Sequence, residues 1–189
     1  MTLPRLFLVA PAGELPEGLL IDCAAAACAA GDCASILVGE NIAPTAVPKL
    51  QALGLAVIIR DCEPRLVHHL KADGIQIARP QPVKSLRAAL KNESIGVFAA
   101  TSRHIAMEAS EAGADYVAFA QASQQNGEPL LQWWQEIFEI PAVAFDPVDA
   151  SGLATLLPQK PDFIRPMDVI WDGAAQAKQE ITALTQAMR

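Results

Sequence analysis

The strongest constraint on this chain is an alternation that runs from one end to the other. Short β-branched or apolar runs take turns with Ala- and Leu-rich amphipathic stretches. The runs that read as strands are Arg5–Ala10, Ala34–Val38, Leu55–Arg60, Gly74–Ile77, Ser94–Ala99, Tyr116–Ala120, Ala142–Phe145 and Asp162–Arg165. Those that read as helices are Ile21–Ala30, Pro44–Leu53, Pro64–Lys71, Val83–Leu90, Ser102–Ala112, Leu130–Phe138, Ser151–Leu157 and Ala174–Ala187. Strict alternation demands parallel strands, because parallel neighbours need a crossover and helices supply it. Eight units predict a compact (β/α)8 TIM barrel, with residues 1–189 forming a single α/β domain.

Punctuation fits this phase. Gly31, Gly54 and Gly113 each follow a helix pattern and precede a strand, where a left-handed cap is expected. Pro44, Pro64 and Pro129 stand at or just before helix starts, where a missing N–H costs nothing. The competing architecture is an open doubly wound sheet. It lacks its signature, since Pro11-Ala12-Gly13-Glu14 follows the first strand where a glycine-rich phosphate loop would stand.

Composition narrows the class. With 52% hydrophobic residues and only 5% aromatic ones, the core is expected to be mainly Ala, Val, Ile and Leu. A net charge of −7 argues against nucleic acid as a partner, because phosphate neutralisation needs clustered Lys and Arg. Leu6–Ala10 is far too short for a membrane span, so no membrane partner and a cytoplasmic location are expected. Cys23, Cys28 and Cys33 recur every five residues, which on a helix sends them to different faces. With Cys62 they read as buried structural thiols. Trp133 and Trp134 lie on an apolar stripe with Leu130, Ile137 and Phe138. Two adjacent indoles cannot both face inward, so one is expected to cover a neighbouring helix or a homo-oligomer interface. His68 and His69 diverge around the third helix and read as outer-face residues.

Two segments are distinctive. Glu108-Ala109-Ser110-Glu111-Ala112-Gly113-Ala114-Asp115-Tyr116-Val117 ends one helix and opens the next strand, and Ala72-Asp73-Gly74-Ile75-Gln76-Ile77 follows Ile58-Ile59-Arg60-Asp61. They resemble the GADYV and ADGVHL segments of the thiamine-phosphate synthases and the related thiazole tautomerases. Ile140-Pro141-Ala142-Val143-Ala144 and Asp162-Phe163-Ile164 are similar to the family's seventh and eighth strands. The resemblance implies a barrel that joins a pyrimidine diphosphate to a thiazole phosphate and releases pyrophosphate. It also implies Mg²⁺ as cofactor, with Asp61 as its ligand, and a phosphorylated small molecule as substrate. Around Asp61 the family motif is altered, with Arg60 in place of Asn and Cys62 in place of Arg. Leu37-Val38-Gly39-Glu40 lacks the cations of the family's diphosphate clamp. Gln81 stands near the second metal carboxylate, and Asp146-Pro147 replaces a phosphate-binding Gly pair.

In this fold reacting groups sit at the C-terminal strand ends and in the loops that follow. Arg60, Arg79, Arg103 and Arg165 all fall there, as does Gln121, and together they are the candidate substrate-binding set. The alternative is that these arginines are solvated and paired with Asp61, Asp146 or Asp168. His104 shares a helix face with Glu108 and is the candidate proton-transfer group. Three activities follow: a thiamine-phosphate synthase-like transferase, a tautomerase-like isomerase using His104, and a non-catalytic binder of an anionic metabolite.

Overall fold

A computed structural model describes residues 3–13, 15–78, 83–120, 124–125 and 128–189. Eight parallel strands close into a barrel: β1 (Arg5–Val9), β2 (Cys33–Val38), β3 (Ala56–Arg60), β4 (Gly74–Ile77), β5 (Ser94–Ala100), β6 (Tyr116–Phe119), β7 (Ala142–Val148) and β8 (Phe163–Pro166). Each pairs with the next in sequence, and β8 returns to β1 through Arg5↔Phe163 and Leu6↔Ile164. The helices that follow them are α1 (Glu17–Ala30), α2 (Ala46–Ala52), α3 (Pro64–Leu70), α4 (Val83–Ala89), α5 (Arg103–Glu111), α6 (Leu130–Ile137), α7 (Leu153–Leu156) and α8 (Ala174–Ala187). The alternation in the sequence therefore specified both the order and the closure.

Three details depart from the sequence reading. A small antiparallel ribbon, Gln124–Gln125 with Glu128–Pro129, precedes α6; two residues per strand are too few to produce a detectable alternation. The seventh helix stops at Leu156 and tightens into a 3-10 turn over Leu157–Gln159, where Pro158 has no N–H to continue an α-helix. Gly54 and Gly113 take the expected positive φ of 87° and 95°, but Gly31 is extended at φ −159°. Its need for glycine is steric instead, since a Cβ there would lie 2.6 Å from Ile181 Cγ2 on α8.

The core divides by strand parity. Leu8, Ile36, Val57, Ile75, Val97 and Val117 point outward and are covered by helix residues such as Leu50, Val67 and Ile181. Phe7, Val9, Leu37, Ile58, Tyr116, Ala118 and Val143 point to the axis, with Phe98, Phe145 and Phe163 packed against them. The core is mainly aliphatic, as expected, but aromatic rings are concentrated on the axis. Four of the six phenylalanines and the single tyrosine fill the barrel interior. Tyr116 makes this possible by lying over Gly96, where a Cβ would come within 2.0 Å of its ring. Its hydroxyl donates to Gln76 Oε1 at 3.0 Å, satisfying two polar groups buried on the axis.

The floor of the barrel carries a repeated aspartate. Asp73, one residue before β4, donates its N–H to the Val57 carbonyl and accepts the Val57 N–H on Oδ2 at 2.7 Å. Asp115, one residue before β6, does the same with Ile95, also at 2.7 Å to Oδ2. Asp162, one residue before β8, repeats it with Ala142 at 2.8 Å. Each carboxylate also receives a side chain from an even-numbered helix: Gln51 of α2, Arg87 of α4 and Gln135 of α6. At β2 the pattern is modified, with Asp32 pairing Arg5 at the start of β1.

These contacts generate two stability predictions. Asp115→Ala strips the Ile95 N–H of its side-chain acceptor and Arg87 of its carboxylate partner, and is expected to lower unfolding free energy by roughly 1–3 kcal/mol. Gly96→Ala overpacks the Tyr116 ring and is expected to cost on the order of 1–3 kcal/mol or more. Urea denaturation of the full chain measures both, and midpoints unchanged from wild type would contradict the assignments.

Candidate functional site

The mouth at the C-terminal strand ends is built by the same parity that fills the interior. Arg60 lies two residues beyond the inward Ile58 on β3, and Arg165 two beyond the inward Phe163 on β8, so both guanidiniums lean over the axis. Arg60 Nη2 reaches the Ala10 carbonyl at 3.5 Å. Burial, together with the nearby charge of Arg165, holds the Arg60 guanidinium below its ordinary pKa, with Asp61 opposing the shift. Arg165 is held by both oxygens of Asp168, at 2.8 and 3.0 Å from Nη2. Its Nη1 lies 3.4 Å from the Phe145 carbonyl, and its Nε is buried with no hydrogen-bond partner among the described residues.

An aromatic floor lies beneath this pair. Arg165 stands 5.4 Å above the Phe145 ring, which packs on Phe98 at 5.0 Å and on Phe7 at 6.3 Å between centroids. Arg165 does pair with a neighbouring aspartate, but its side chain is only 16% exposed, so it is not solvated. Arg60 makes no ion pair among the described residues, and the charges that act on it are those of Arg165 and, in the opposite sense, Asp61.

The other candidates are placed differently. Arg103 begins α5, whose N-terminus is capped by Ser102 Oγ accepting the Ile105 N–H, and it stacks 4.4 Å above the Trp133 ring of α6. His104 is one residue on, 77% exposed, with Nε2 3.3 Å from Glu108 Oε1. Arg79 and Gln121 lie outside the described residues. Trp134 is the fully buried indole, donating to the Ile140 carbonyl at 2.8 Å and stacked on Phe138. Trp133 covers Phe138 and carries Arg103, which is the neighbouring-helix role expected of one of the pair. Cys28 and Cys33 were expected on different faces, yet they are near enough to perturb one another, the Cys28 thiol shifted down and the Cys33 thiol up. The reason is that α1 ends at Ala30, so Cys33 already belongs to β2.

Asp61 ends β3 in a left-handed conformation, φ 45°, which a short polar side chain tolerates. Its N–H donates to the Gln76 carbonyl at 2.9 Å and its Oδ1 accepts the Ala78 N–H at 2.8 Å. That carboxylate is tied to the end of β4 while Arg60 and Arg165 stand beside the mouth. No group of three His, Cys, Asp or Glu side chains able to hold a metal occurs among the described residues. Asp61 offers Mg²⁺ one carboxylate with one oxygen already engaged, close to two guanidiniums that repel a cation, so the ion would have to be held largely by substrate phosphates and water.

Sequence reasoning passed over two features of the mouth. A cleft of about 410 Å³ opens between the β1–α1 and β2–α2 connections, lined by backbone and small side chains from Ala10 to Gly13 and by Asn41 and Glu17. It adjoins Arg60 through Ala10, and no residue in it has the chemical character that a motif search detects. Lys49, and then Thr45, hold the Glu17 carboxyl below its usual range. Trp171 is the second feature. It lies on a 3-10 turn (Asp168–Trp171) and donates its indole N–H to the Val9 carbonyl at 2.8 Å. That bond pins the β8–α8 connection to β1 and so fixes Asp168 beside Arg165.

Comparison with known proteins agrees with this architecture. The family model described as thiamine monophosphate synthase matches residues 39–164, more than half of the chain. A thiamine-phosphate synthase of Rhodospirillum centenum is 30% identical over 208 residues, covering 100% of both chains. One of Erythrobacter litoralis is 38% identical over 124 residues, a match spanning 59% of this chain and 58% of that protein. Among solved structures, thiamine phosphate pyrophosphorylase from Pyrococcus furiosus superposes with a TM-score of 0.78 at 18% identity, covering 97% of this chain and 95% of that one. Tryptophan synthase from M. tuberculosis gives the same TM-score of 0.78 at 16% identity, covering 99% and 93%. These two likenesses concern the fold alone. The extent of the family match and the end-to-end relative together establish that the chain belongs to the thiamine monophosphate synthase family.

Proposed function

We propose that this barrel is a thiamine-phosphate synthase-type transferase that works in the cytoplasm on phosphorylated substrates. It would join a pyrimidine diphosphate to a thiazole phosphate and release pyrophosphate. The observation that carries this reading is the meeting of Arg60 and Arg165 at the mouth of a barrel of this family. Guanidinium forks match phosphate oxygens, and over an aromatic floor that excludes water the pairing is stronger than at a wet surface. In this role the two arginines hold the phosphate and offset the charge that builds on the departing diphosphate. They take over work for which the family's altered clamp lacks the cations. The cleft beside Ala10, lined by backbone, Asn41 and the Glu17 carboxylate, offers hydrogen-bonding surface for the ring portion of a substrate.

A second reading, binding of a phosphorylated metabolite without turnover, is favoured by one observation: Asp61 has one oxygen committed to the Ala78 N–H. The isomerase alternative would route a proton through His104, whose side chain is 77% exposed and paired with Glu108, and the geometry favours it least.

Pyrophosphate release from the two thiamine precursors in the presence of Mg²⁺ tests the transferase. Arg60→Ala and Arg165→Ala are each expected to lower kcat/KM by at least about tenfold, or roughly 1.4 kcal/mol of transition-state stabilisation. Arg60→Lys is expected not to restore it, because an ammonium cannot bind two oxygens in parallel. Release no faster than in a reaction without the protein would rule out the transferase. Retention of a phosphorylated ligand in the same experiment would then leave the binder.

A further inference from the structure

We propose that Arg60 and Arg165 bind the phosphate of the ligand directly, without a divalent metal, and that Asp168 is the counter-ion this phosphate displaces from Arg165. The inference rests on the reading that the ligand is phosphorylated and enters by the mouth, and it adds how the anion is held and what yields to it.

Charge supplies the first argument. Burial and the nearby Arg165 disfavour the charge on Arg60, and an anion between the two guanidiniums relieves that cost. Among the described residues Arg60 engages only a carbonyl, at the 3.5 Å limit of a hydrogen bond, which leaves most of its donors uncommitted there. Arg165 Nε is buried with no acceptor among the described residues, which is costly unless a ligand supplies one. A phosphate bridging the two arginines satisfies both deficits together.

The second argument concerns Asp168. Its side chain is 57% exposed while that of Arg165 is 16% exposed, so the ion pair runs from solvent into the mouth. An exposed carboxylate gives up a pairing at little cost, because water replaces the lost contact. The buried guanidinium has no such recourse and keeps the position over Phe145. Trp171 anchors the turn that carries Asp168, so the carboxylate can rotate away while the backbone stays in place. Asp61 plays no part in this exchange, because its Oδ1 is tied to Ala78 and its backbone to Gln76.

Calorimetric titration of the full chain with inorganic pyrophosphate and with inorganic phosphate, in EDTA and again in Mg²⁺, decides the matter. Pyrophosphate is expected to bind in EDTA, with an affinity that Mg²⁺ does not raise. Arg60→Gln is expected to weaken it at least tenfold. Asp168→Asn, at an exposed position, is expected to tighten it several-fold, a gain that a merely structural role for Asp168 would not give. Thermal melts confirm that each variant folds, and if Arg60→Gln does not, Asp168→Asn alone settles the outcome. Binding only in Mg²⁺, no binding in either buffer, or an affinity unchanged or reduced in Asp168→Asn would overturn the proposal. Metal-free binding with no turnover would leave this inference standing without the transferase, whereas turnover with strictly Mg²⁺-dependent binding would do the reverse.

Discussion

Closing eight parallel strands requires that each one start at the right height, because a slip of one residue turns every interior side chain outward. In this chain the starting heights are held by aspartates at the N-terminal face. Asp73, Asp115 and Asp162 each form a two-way hydrogen-bonded pair with one residue of the preceding strand and take a third contact from an even-numbered helix. The register of the odd strands is thereby referred to the even ones around the floor. Parity then places Tyr116 over Gly96 and Gln76, and it carries upward to Arg165 above the Phe145 ring and to Arg60 near it.

This explains why the most recognisable motifs in the sequence are not the site. The Asp of Ala72-Asp73-Gly74 and the Asp of Gly113-Ala114-Asp115-Tyr116 are floor residues, and the Tyr of the second motif reaches back to Gln76 of the first. The two motifs therefore report a single packed unit within the barrel, at the face where a barrel secures stability. The mouth at the other end is free to change its chemistry without loosening this arrangement. Arg60, which stands in place of the family's Asn beside Asp61, lies at the end of β3, and Arg165 lies near the end of β8.

The eight units and most of their boundaries were legible because hydrophobic period and helix punctuation are local properties. Gly74–Ile77 and Ala174–Ala187 were placed to the residue for that reason. The site was legible only as a set of residues near strand ends. Arg60, Arg103 and Arg165 looked equivalent in the sequence, yet Arg103 stacks on Trp133 while the other two meet at the axis. What separates them is whether the residue continues an inward strand position or opens the following helix, a matter of a few residues at the least predictable boundary of each unit. The cleft beside Ala10 and the Trp171 anchor had no signature, because each depends on backbone carbonyls brought together from distant segments.

By itself, then, the sequence determined an alternating parallel architecture, its closure into eight units and a family resemblance, since each is encoded in local periodicity and short motifs. Only the tertiary structure decided that five of the ten aromatic residues gather in the barrel interior, that aspartates set its register, and that Arg165 lies over a hydrophobic floor with Arg60 nearby. Those outcomes depend on which residues from separate strands share a height and a side of the sheet. That relation comes into being only when the barrel closes.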